Sequence, residues 1–169
     1  MGTWKALGFA YERLHEQSQS NRDLDEAIAA FCHGLEPAPH LDRDQSLNNL
    51  AHALHTRFEQ QGASNDVVEA ISLHREALLL RPAPHLYRSM SFNNLANALR
   101  SRFEQRGASN DLDESISLHR EALLLRPAPH RYRSWSLHNL ANALQTRFEQ
   151  RGASNDLDEV TSLRREALL

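Results

Sequence analysis

The chain has 169 residues, with 19 Lys and Arg against 22 Asp and Glu, for a net charge of −3. It holds 27 Leu and 21 Ala but only three Val and three Ile, a balance that favours helices and starves strands. Sheet-based folds are therefore excluded, and the acidic balance lacks the basic footprint of a nucleic-acid binder or of a polybasic membrane-surface segment.

Repetition organises the chain. Residues 57–85 and 102–130 are offset by 45 residues and differ at only four positions. A third copy starts at Arg147 and a more diverged one fills residues 1–40. A fixed period of this size marks an array of stacked units that bury their apolar faces against one another. The expected organisation is one domain over 1–169, in repeats of about 1–40, 41–84, 85–129 and 130–169, the last truncated.

Each repeat carries two helical patterns, eight helices in four helix–turn–helix pairs. In the first helix of the third repeat, Phe92, Leu95, Ala96, Leu99 and Phe103 form one apolar stripe. Gly107 follows, the residue type expected where a helix stops in a left-handed conformation. Ser109 or Asn110 is placed to cap the second helix, whose buried side is predicted as Leu112, Ile116, Ala122 and Leu123. Acids at its start (Asp111, Asp113, Glu114) and bases towards its end (Arg120, Arg126) complement the helix dipole. All six prolines lie in three Pro-Ala-Pro elements, Pro37/Pro39, Pro82/Pro84 and Pro127/Pro129, which end the second helices.

Trp4, Leu7, Gly8 and Tyr11 fit a W-x2-L-G-x2-Y opening, Ala27 and Phe31 continue as A-x3-F, and Leu50-Ala51, Leu95-Ala96 and Leu140-Ala141 stand where Leu7-Gly8 does. The chain thus resembles the tetratricopeptide repeat (TPR) family along its whole length. The 45-residue period exceeds the family's usual 34, and the lengthened first helix is similar to the long repeats of kinesin light chains. Phrases such as SLNNLAHAL and NDLDESISLHREAL resemble fungal TPR arrays attached to CHAT peptidase or nucleotide-binding signalling domains. The resemblance implies an all-α solenoid, a right-handed superhelix of four helix pairs, with a concave groove lined by the first helices. It implies protein–protein interaction: a peptide or partner segment bound in that groove.

On that plan the candidate groove residues are Asn48, His52 and His55 in the second repeat, Met90, Asn93, Asn97 and Arg100 in the third, and Trp135, His138 and Asn142 in the fourth. Amides offer both donors and an acceptor to an extended backbone, Met90 and Trp135 offer apolar anchors, and Arg100 a charge for an acidic group. The parallel set Asn49, Asn94 and Asn139 is assigned to helix packing instead. The alternative function is a self-associating array that oligomerises or spaces an attached effector domain.

No enzyme, cofactor or metal is expected. The histidines recur with the repeat, and His52 and His55 have no carboxylate or cysteine at ligand spacing. Cys32 has no catalytic partner by motif, and one thiol fits a reducing compartment, the cytoplasm. No apolar run approaches the roughly 18 residues of a membrane span. The sequence stops within its last helix, so an exposed stripe of Leu157, Leu163 and Ala167 is expected, and with it a homo-oligomer joined through uncapped ends.

Overall fold

The computed structural model describes residues 3–18, 20–35 and 43–168. Among them are eight helices and no strand: α1 (Thr3–Ser18), α2 (Asn21–Leu35), α3 (Arg43–Gln61), α4 (Ser64–Leu79), α5 (Arg88–Arg106), α6 (Ser109–Leu124), α7 (Arg133–Arg151) and α8 (Ser154–Glu166). The fold is an all-α solenoid of helix-pair repeats. The chain divides into two compact units, Met1–Ala83 and Pro84–Leu169. The first Pro-Ala-Pro element, with Pro37, Pro39 and His40, lies outside the described residues.

Within the last three pairs the first helix stops as the sequence predicts. Gly62, Gly107 and Gly152 follow α3, α5 and α7 with φ near +70° (72°, 70° and 69°). Only glycine enters that region without a Cβ penalty. Each donates its N–H back to a phenylalanine carbonyl four residues earlier, Phe58, Phe103 or Phe148, at 2.6–2.8 Å. The caps differ from expectation. Ala108, not Ser109 or Asn110, is the N-cap of α6, and no side chain caps it. The two-residue turn puts Ser109 and Asn110 already inside the helix. Asp111 is left at the third helical position, where its charge still meets the helix N-terminus.

In the first unit Leu24, Ala27 and Phe31 of α2 pack with Leu50, Ala51 and Leu54 of α3. Gly8 explains itself here. A Cβ at this position would overlap the Phe31 ring, so α1 approaches α2 through the missing side chain. Gly8→Ala is expected to cost about 1–3 kcal/mol by overpacking, read as a lower urea midpoint at unchanged slope.

In the second unit Leu112 and Ile116 of α6 pack with Leu137, Leu140 and Leu144 of α7 and with Val160 and Leu163 of α8. Leu163, expected in an exposed stripe, is therefore buried, within the cluster that α6 and α7 build. Leu157 is 42% exposed and Ala167 half-buried.

A fork of charge ties each of the last three pairs. Arg57, Arg102 and Arg147 each reach nine residues ahead to hold both oxygens of Asp66, Asp111 and Asp156, at 2.6–3.0 Å. The three aspartates are buried. Planar, bidentate pairing of this kind suits arginine and not lysine.

Candidate functional site

The structure separates the predicted groove residues into two groups. Asn48, His55 and Asn93 are buried; Met90, Asn97, Arg100 and Asn142 are half-buried; His52, Trp135 and His138 are exposed.

Asn93 is a correction to the sequence reading. Its side chain is 0% exposed and is consumed at the junction of three helices. Nδ2 donates to Ser89 O at 2.9 Å and to Ser136 Oγ of α7 at 3.3 Å. Oδ1 lies 3.1 Å from His119 Nδ1 of α6. This is the packing role that the sequence reading gave to Asn94 and its equivalents. One residue along a helix turns the side chain by about 100°, and that step moves position 93 from the open face into the seam between repeats. His138, the same position on α7, is exposed. His55 is likewise occupied, stacked on Phe58 at 6.3 Å between centroids and 3.6 Å from Glu59. Arg100 spends its charge on Glu104, one turn along α5.

Asn97 and Asn142 are placed differently. They stand 45 residues apart in register on α5 and α7. Both are half-buried, and neither side chain makes a hydrogen bond among the described residues.

Met90 and Trp135 are brought together. They line a cavity of about 670 Å³ near the starts of α5 and α7, with Tyr87 and Tyr132 among its walls. Its polar lining, with Ser89, His130 and Arg131, includes Arg126, which follows α6 and was read from sequence only as a complement to the helix dipole. The Arg126 side chain is almost wholly buried. Its guanidinium lies 5.4 Å from the Trp135 ring centroid and 5.6 Å from that of Tyr132, within cation–π range. Burial holds its pKa below the usual arginine value, with Tyr132 opposing. The signal available in the sequence was an acid present in one repeat and absent from the next two: Asp44 is matched by Ser89 and Ser134.

Two further histidines are interior. His74 and His119 are buried, and desolvation pushes both down to about 3 from the ordinary 6.5, helped at His119 by Arg100 and at His74 by His55, His52 and Arg81. Among the described residues no cluster of three or more His, Cys, Asp or Glu side chains is placed to hold a metal ion. No described helix is long and apolar enough to cross a membrane.

The comparisons with known proteins agree with this architecture. None of the curated proteins compared with the chain matches it. Among solved structures, the nearly identical TPR-like repeats of a Podosopora anserina protein assigned as a kinesin light chain are similar at 20% identity. The TM-score there is 0.58, covering 96% of this chain and 74% of that one. A de novo designed helical repeat protein is similar at 15% identity and a TM-score of 0.53, covering 97% and 89%. The tetratricopeptide repeat model matches residues 45–80, 89–126 and 133–168, more than half of the chain, with boundaries that follow the helix pairs. The chain belongs to the tetratricopeptide repeat family.

Proposed function

We propose that the chain is a protein-interaction module that binds an extended segment of a partner along the first helices of its repeats. The observation that carries this reading is the pair Asn97 and Asn142: half-buried amides, in repeat register, with donors and acceptors unspent. Amides that remain accessible and unspent within the chain are open to a ligand, and a peptide backbone satisfies both ends of one. Met90 and Trp135, on the same two helices and already sharing a cavity, supply apolar anchors of the kind that dominate interface energetics. The exposed lone thiol of Cys32 supports a reducing compartment such as the cytoplasm.

The test is a random peptide library displayed against the intact chain, followed by titration of a selected peptide. Two lost amide–backbone contacts at about 0.5–1.5 kcal/mol each give an expected weakening of roughly tenfold or more for Asn97→Ala with Asn142→Ala. Helical circular dichroism and molecular mass should stay unchanged. Undiminished binding by the double variant contradicts the reading. Loss of assembly, with no peptide ever selected, favours the self-associating array instead.

A further inference from the structure

Arg81 and Arg126 occupy one position in two successive repeats, 45 residues apart and immediately before Pro-Ala-Pro. Both side chains are buried, at 0% and 2% exposure. Their surroundings differ in one decisive respect. Arg81 Nε donates to Asp44 Oδ2 at 2.6 Å, a buried ion pair within the first unit. At the position matching Asp44, the second unit has Ser89. Arg126 Nε therefore meets a hydroxyl, Ser89 Oγ, at 3.1 Å. Its Nη1 donates to Ser136 Oγ at 2.7 Å and approaches Tyr132 O at 3.4 Å. None of its partners is a carboxylate.

A buried guanidinium is ordinarily paired with an anion, because its desolvation is otherwise uncompensated. Here the unpaired cation forms part of the wall of a cavity of about 670 Å³ whose aromatic and apolar walls include Tyr87, Met90, Tyr132 and Trp135. No acid lines that cavity, and a second cation, Arg131, stands at it, stacked on Tyr132 at 4.2 Å. The size is that of a pocket for one or two side chains rather than a whole domain. Replacing Asp by Ser removes a carboxyl and leaves space beside Arg126 on the Ser89 side.

We propose that this cavity is a subsite for an aspartate or glutamate side chain of the bound partner segment, next to an apolar residue that packs on Trp135 and Met90. The ligand carboxylate completes in trans the ion pair that Asp44 makes in cis with Arg81. The proposal rests on the peptide-binding reading above and adds the chemistry of one recognised residue. The chain thereby carries its own comparison for this arginine, held by a carboxylate in one unit and by hydroxyls in the other.

The experiment titrates the intact 169-residue chain with two capped dipeptides, N-acetyl-Leu-Glu-amide and its isostere N-acetyl-Leu-Gln-amide. Binding is followed at the Trp135 indole N–H resonance, assigned with Trp135→Phe. The glutamate dipeptide is expected to bind at least tenfold tighter than the glutamine one. Ser89→Asp supplies the missing carboxylate internally. It is expected to stay folded, to raise the Tm by several degrees, and to lose at least tenfold in affinity for the glutamate dipeptide. Equal binding of the two dipeptides, or full binding by Ser89→Asp, overturns the subsite. So does inorganic phosphate that competes as strongly as the glutamate dipeptide. A library-selected peptide that depends on Asn97 and Asn142 but ignores Ser89→Asp likewise overturns the subsite while leaving the broader reading intact.

Discussion

Acidification from pH 6.5 to pH 4.5 is expected to strip stability from the fold at about 1.4 kcal/mol per pH unit for each of two histidines. His74 and His119 are held neutral in the folded state, with pKa values pushed down to about 3. In the unfolded chain they titrate near the ordinary 6.5. Below that pH the unfolded state binds protons that the folded state refuses, so the stability is fully present above 6.5. It declines as pH falls and is exhausted near the folded value. Across the two units the loss approaches about 5 kcal/mol, a large part of a typical domain's stability. The carboxylates act lower on the scale. Asp113 and Asp156 are held below the ordinary 3.8 by the arginines that hydrogen-bond them, so their contribution persists until pH falls through that region. Urea midpoints measured at half-unit steps between pH 6.5 and 4.5 check this. A flat profile contradicts it, and His119→Gln should roughly halve the slope.

Asp111→Ala is expected to cost about 2–4 kcal/mol. Asp111 is buried and receives two hydrogen bonds from Arg102, at 2.7 and 2.8 Å. Removing the carboxylate leaves a guanidinium whose side chain is only 21% exposed without its counterion. It also removes the negative charge from the first turn of α6. The double variant Arg102→Met with Asp111→Leu should recover much of the loss, because two apolar groups leave no stranded charge. Thermal unfolding of the single and double variants separates this from a generic packing defect: a double variant as unstable as Asp111→Ala alone contradicts the account.

Helix positions, stops and stripes were legible in the sequence because each rests on a local signal. Phe92, Leu95, Ala96, Leu99 and Phe103 recur with the helical period and all are buried; Gly107 and Pro127 mark ends that chain stereochemistry forces. The surroundings of the candidate groove residues were legible only in part. Asn93 and Asn94 are neighbours in sequence, and nothing local says which of the two faces the next repeat. That is decided by Ser136 and His119, on α7 and α6. Leu163 was misplaced for a related reason, since residues of α6 and α7 already bury it. Met90 and Trp135, which line one cavity, were conspicuous as apolar residues on a polar face. Arg126 was passed over because an arginine near a helix end has an ordinary explanation. Its significance appears only beside Asp44 and Ser89.

The Arg–Asp fork spans nine residues and lies wholly inside one helix pair. A tandem duplication of 45 residues therefore copies a clasp together with the helices it fastens, and a deletion of the same length removes one complete clasp without stranding either half. Changes in repeat number leave every surviving fork intact, whereas pairs that reach into the preceding repeat, such as Arg57 with Asp25, need a neighbour that supplies the acid. A gene built this way is free to lengthen or shorten by unequal recombination, while single substitutions such as the one separating Asp44 from Ser89 diversify copies that continue to fold alike.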